Sequence, residues 1–141
     1  MKKTILVFTV GLTLIISGCS YFGASGAIRS FINAAEKRNY SQMIEVLKEK
    51  KFGEGSNLTK AEKEERLAGS SLVHYASSGI DSMQISEKIK LGEITMIEAK
   101  IIFQGAEQTY IFGMSKEGGK WMIHSWFNKK EFCKTPHPAC E

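Results

Sequence analysis

"QTYIFGMSKEGGKWMIHSW", residues 108–126, reads as two strands joined by a tight turn. Apolar and aromatic residues alternate with polar ones on either side of "KEGG", at the period of two that sends successive side chains to opposite faces of a sheet. A two- or four-residue loop within that turn keeps one pairing parity, placing Met114 opposite Trp121 and Phe112 opposite Ile123. The preceding stretch, "ITMIEAKIIFQGAE" at 94–107, repeats the pattern with "QGAE" as its turn, so odd residues of that strand meet even residues of the next. One face then carries Ile97, Ala99, Ile101, Phe103, Tyr110, Phe112, Met114, Trp121 and Ile123. The other carries Glu98, Lys100, Thr109, Ile111, Met122, His124 and Trp126. Three strands sort independently into one apolar and one mixed face, which is what an antiparallel sheet requires.

Upstream, a further strand is predicted over 80–90. A tight turn at Leu91 and Gly92 would point Ser86 and Lys88 inward, so a bulge or a longer turn is expected there. Before Gly79 the period becomes helical. Ile28, Phe31, Ile32 and Ala35 mark a first helix to about Lys37, and Asn39 with Gln42 forms a capping box for a second that buries Met43, Ile44 and Leu47. Gly53 and Gly55 break the chain. Thr59 and Glu62 then open a third helix to about Ser77, with Ala61, Leu67, Ala68, Leu72 and Tyr75 inward and Gly79 just past its end. Helices followed by a meander predict an α+β fold: N-terminal helices packed on a curved antiparallel sheet of about four strands.

The first residues have the parts of an export signal. Lys2 and Lys3 precede an uncharged run from Ile5 to Ile16, followed by Ser17, Gly18 and Cys19. That run is twelve residues long, whereas a helix needs roughly 20 to span the hydrocarbon core. Ile16-Ser17-Gly18-Cys19 resembles the lipobox of bacterial lipoproteins, in which small residues admit a peptidase and the thiol takes a diacylglyceryl group. The resemblance implies cleavage before Cys19, a membrane anchor on its sulfur, and an extracytoplasmic place in the cell envelope. Ser20, in place of Asp, implies the outer membrane facing the periplasm in a diderm organism. Two long acyl chains, at about 0.8 kcal/mol per buried methylene, hold a protein where one does not. The division expected is a signal over 1–18, a tether over 19–26, one domain over 27–128 and a closed tail over 129–141.

Removing residues 1–18 leaves 123 residues, enough for one compact domain. Without Lys2 and Lys3 there are 17 Lys and Arg against 15 Asp and Glu. Acidic and basic residues interleave, so they read as a solvated surface and not as a nucleic-acid footprint. With Cys19 assigned to lipid, Cys133 and Cys140 in "CKTPHPAC" remain. Outside the cytoplasm they are expected to form a disulfide, worth about 2–3 kcal/mol for so small a loop. The alternative is a metal site from Cys133, His137 and Cys140, for which a fourth ligand is not evident.

"AIRSFINAAEKRNYSQMIEVL" at 27–47 and "KEGGKWMIHSW" at 116–126 resemble the nuclear transport factor 2-like, cone-shaped domains of small bacterial lipoproteins. The resemblance covers about residues 24–128 and rests on structural motifs: a helix with a polar step into the next, and a late hairpin closing in Gly-Lys-Trp-x-Ile. It implies a cone whose interior holds a ligand or, in the isomerases and dehydratases of that fold class, a general base with an acidic donor opposite.

The expected interior, built from Ile97, Ile101, Tyr110, Phe112, Met114, Trp121 and Ile123, offers apolar surface and one hydroxyl, with Ser125 near the rim. His74, projecting from the third helix, is the best candidate base, with Tyr110 as its partner. No phosphate loop, Ser-His-Asp set or metal-binding His/Glu pair is present in the sequence, and no cofactor is expected. Trp126 with Ile111, Met122, His124 and Ile102 would leave an apolar area on the outer face, to be covered by the tail, by a second copy in a homodimer, or by an envelope partner. The sequence thus points to a lipid-anchored binding protein for a small apolar ligand or an envelope partner, with an enzyme or a structural envelope protein as alternatives.

Overall fold

A computed structural model describes residues 23–48 and 57–141. The segment carrying Cys19 and the break at Gly53 and Gly55 lie outside the described residues. The described elements are helices α1 (Ala24–Glu36), α2 (Tyr40–Glu45), α3 (Lys60–Ala68) and α4 (Ser71–Ala76), strands β1 (Ser82–Leu91), β2 (Ile94–Phe103), β3 (Ala106–Glu117) and β4 (Lys120–Asn128), and a short helix α5 (Lys129–Phe132). The strands form one antiparallel meander in the order β1-β2-β3-β4, so the fold is α+β.

Helix α1 buries Ile28, Phe31, Ile32 and Ala35, the stripe read from the sequence. It begins at Ala24, three residues before the expected start of the domain at residue 27: Ala24, Ser25 and Gly26 are already helical. Asn39 caps α2 by accepting from the Gln42 N–H, but Gln42 answers to the Asn39 side chain and not to its backbone. Thr59 and Glu62 form the full reciprocal box at the start of α3.

The expected third helix is two helices. A turn of about 100° per residue would set Leu67 roughly 180° from Ala76 on a continuous helix. Both are buried together with Leu72 and Val73, which a single helix cannot arrange. The chain breaks at Gly69, and Ser70 adopts an extended conformation at the start of α4. Ala61, Ala68 and Tyr75, read from the sequence as inward, are exposed. Tyr75 instead stacks on Phe103, with ring centroids 6.0 Å apart.

Two bulges set the faces of the sheet. In β1 the register slips between Glu87 and Ile89, the irregularity expected near Lys88. Before it Ile85 lies opposite Ala99, and after it Ile89 lies opposite Met96. Ser86 therefore faces outward opposite Glu98, and Ile89 falls on the outer side. The β2–β3 pairing follows the expected parity, with Ile97 opposite Phe112 and Ala99 opposite Tyr110.

The β3–β4 pairing differs from expectation. The turn is the two glycines Gly118 and Gly119, both at positive φ (54° and 82°), which the tight hairpin turn requires and which side chains disfavour. Met114 accordingly meets Ile123, not Trp121, while Trp121 meets Lys116. A second bulge leaves His124 unopposed: Gly113 pairs with Ser125 and Met114 with Ile123. Beyond it every side chain of β4 changes face. Phe112 lies opposite Trp126, not Ile123, and Trp126 packs into the main core rather than on the outer face. Its ring centroid is 5.0 Å from that of Phe31, which meets Phe112 edge-on at 6.3 Å. Phe127 takes the outer position and is 44% exposed.

The tail crosses the outer face. Cys133 and Cys140 are bonded, with their Cα atoms 5.8 Å apart. The residue before each, Phe132 and Ala139, packs on a second apolar cluster of Met96, Ile111, Ile89 and Ile94. Ala139 and Ile111 are completely buried. At the other edge the chain after α2 caps β4: the Ile123 N–H donates to the Val46 carbonyl at 2.7 Å, and the Lys48 N–H donates to the Ile123 carbonyl at 2.9 Å.

Candidate functional site

The residues expected to line a cavity are brought together, but they fill it. Ile97, Ile101, Tyr110, Phe112, Met114 and Ile123 are each no more than 2% exposed and share one core with α1, Met43 and Leu72. Trp121 alone is half-buried, at the hairpin end of the sheet. There a pocket of about 490 Å³ opens, lined among the described residues by Ala27 and Ser30 of α1, Val46, the turn Gly118–Gly119, Lys120 and Trp121. This volume falls within the roughly 300–1,000 Å³ of small-molecule sites.

Four elements build that pocket. Helix α1 contributes Ala27, and Ser30 one turn further on, which accepts from Gln42 Nε2 at 3.2 Å. The bridge from Val46 to Ile123 holds the wall after α2. Gly118 and Gly119 put no side chain into the opening, and a Cβ at either would meet nothing within 4 Å. Lys120 crosses the turn to donate to the Glu45 carbonyl at 2.9 Å. At the rim Lys48 pairs with Glu117.

The proposed acid–base pair is not assembled. His74 is exposed on α4, with its ring beside Tyr75, while Tyr110 is sealed in the core at 2% exposure. Burial pushes the Tyr110 hydroxyl up to about 12, Tyr75 adds to the rise, and the Asn128 side chain partly opposes it. A hydroxyl held neutral in this way is a poor base near neutrality. The raised value also fixes the sign of a pH effect. Stability from the neutral phenol is complete below the unfolded value of about 10 and falls as pH rises through about 12. Ultraviolet titration of the 4 tyrosines should show one phenol ionising late, and Tyr110→Phe should remove that phase. Tyrosines that all titrate together near 10 would refute it.

Other groups fall elsewhere. Ser115, 6% exposed, meets His124 with Oγ and Nε2 2.5 Å apart. This pair was not legible in the sequence, because only the bulge brings His124 to it. Neither residue lines the pocket at Trp121, and the bond ties the bulged residue to the neighbouring strand. Met122 is half-buried on β4, and Ile111 lies under the tail, one of the covers expected for the outer face. Ser125 sits against Gly113, where a Cβ would come within 2.9 Å of its Oγ.

The disulfide takes both sulfurs, and His137 Nδ1 accepts from the Ala139 N–H at 3.1 Å, so the tail does not offer the three-ligand metal set. On the outer face Glu98 pairs with Lys129 at 2.6 Å and with Lys88, the bulged residue of β1, at 3.7 Å. Burial alone would raise the Glu98 carboxyl, but the Lys129 hydrogen bond and both ammonium charges outweigh it and hold the group below its ordinary value. A second, polar hollow of about 460 Å³ lies between Glu107, Gln108, Thr109 and Asn128–Lys130. No protein-family model, no curated protein and no solved structure matches this chain.

Proposed function

We propose that this chain is a lipid-anchored, extracytoplasmic binding protein of the bacterial envelope that holds a small apolar molecule in the pocket at Trp121. The observation that carries the reading is that, among the described residues, the expected interior is filled by its own side chains while an apolar-walled pocket opens beside Trp121. Its walls are Ala27, Val46 and the Trp121 ring, which give apolar area worth about 25 cal/mol per Å² removed from water. Among the described residues its lining holds no histidine or carboxylate to move a proton. We read the fold as a nuclear transport factor 2-like cone, a reading supported by helices on one face of a meander whose bulges bend β1 and β4.

Anchoring rests on the Ile16-Ser17-Gly18-Cys19 ending. Protein extracted from membranes should have lost residues 1–18 and gained acyl mass, whereas Cys19→Ser should leave the chain uncleaved and without lipid. A mature wild-type chain with a free Cys19 thiol would overturn the anchor. Binding is tested by quenching of tryptophan emission with brominated apolar probes.

A further inference from the structure

Two hydrogen-bond donors stand at the edge of this apolar pocket. Lys120 Nζ has three N–H groups. One goes to the Glu45 carbonyl, and the ammonium pairs with no carboxylate among the described residues. Its charge is thus held in place by a neutral acceptor and left uncompensated. The nearest acid of the hairpin, Glu117, is taken by Lys48. Ser30 Oγ accepts from Gln42 Nε2 and keeps its own proton to donate, beside one further lone pair. Both residues line the space walled by Ala27, Val46 and Trp121. The bare Gly118–Gly119 turn leaves that side open for a headgroup to reach Lys120.

Resting on the binding reading above, we infer that the ligand is an acyl amphiphile with an anionic oxygen headgroup, its chain against Trp121 and its carboxylate between Lys120 Nζ and Ser30 Oγ. Donors without a matching acceptor select for oxygen lone pairs, and a charged donor makes a hydrogen bond about twice as strong as a neutral one. A neutral alcohol of the same length fills the same walls but gives Lys120 no charge to meet. The discrimination therefore comes from the head, and retention from the chain.

The test uses the full chain, lipidated and carried in nanodiscs of zwitterionic phospholipid. Terminally brominated decanoate quenches a tryptophan only on contact. It should quench emission, and Trp121→Phe should abolish the quench, since Trp126 packs half-buried against Phe31 and does not line the pocket. Terminally brominated decanol should need roughly tenfold more for the same effect. Lys120→Met should raise the decanoate requirement by about tenfold, and Lys120→Arg should restore most of the loss. Equal quenching by acid and alcohol, unchanged in Lys120→Met, would overturn the headgroup and leave the apolar pocket standing. Quenching by neither probe, or quenching that survives Trp121→Phe, would overturn the pocket reading itself.

Discussion

Phe31→Ala should lower the free energy of unfolding by about 3–5 kcal/mol, the range for removing a fully buried phenylalanine. Phe31 is completely buried, and two rings from adjacent strands close on it: Phe112 edge-on at 6.3 Å and Trp126 tilted at 5.0 Å. No neighbouring side chain can swing into the space, because the helix backbone and two paired strands fix all three rings. Trp126→Ala should also destabilise, by about 2–4 kcal/mol, since its half-buried ring forfeits less area. The two losses should not add, falling short of their sum by about 0.5–1.5 kcal/mol for the ring–ring contact. Denaturant unfolding of the four proteins of the cycle measures this. A Trp126→Ala protein as stable as wild type would mean that the ring sits on the outer face, where the alternation of β4 alone puts it.

Ile111→Asp should be comparably severe, at roughly 4 kcal/mol. Alternation of β3 assigns Ile111 to the outer face, where a charge is harmless only if nothing covers it. In the fold it is completely buried beneath the tail, against Met96 and Ala139 with Phe132 alongside. The carboxylate would stand opposite Glu98, which already holds Lys129 and Lys88, and would have to push the tail off the sheet to reach water. Opening the loop with Cys133→Ser should cost less, about 2–3 kcal/mol, because Phe132 and Ala139 can still dock without the bond. Against a total of roughly 5–15 kcal/mol for a single domain, the first change threatens folding and the second does not. A shift of the unfolding midpoint for Ile111→Asp no larger than for Cys133→Ser would show that the tail does not seal the cluster.

What could be read in advance divides along a physical line. Local signals were sufficient for the α+β order, the Thr59 box and the β2–β3 parity, because each depends on residues close in sequence. The β1 bulge was legible, as one of two solutions with a longer turn, because a tight turn at Leu91 and Gly92 would point the polar Ser86 and Lys88 inward. The β4 bulge gave no such conflict. Both Trp126 and Phe127 suit a core, so the alternation ran on past His124 and assigned the wrong ring. The break at Gly69 needed the tertiary fact that Leu67 and Ala76 share a core. The pocket is harder still to read, since α1, the end of α2 and the turn of the last hairpin meet only in space. Of the expected interior residues all but Trp121 are buried in the core; whether that interior was open or filled was not legible in the sequence, because it depends on how closely the helices approach the sheet.

The two edges of the sheet are unequally finished. Residues 46–48 close part of the β4 edge with backbone hydrogen bonds, whereas among the described residues no strand pairs with the outer side of β1, a largely exposed strand. An unpaired edge invites a second chain to extend the sheet. Here an approaching strand would find the ladder out of step at the Glu87–Ile89 slip. It would also have to desolvate Lys88, whose charge is already committed to Glu98. The bulge that gives Ile89 to the tail's apolar cluster thereby also guards the chain against self-templated aggregation. Deleting Lys88 would make Glu87 and Ile89 consecutive, keeping them opposite Ile97 and Met96 in unbroken alternation, and would leave a flat edge without that guard.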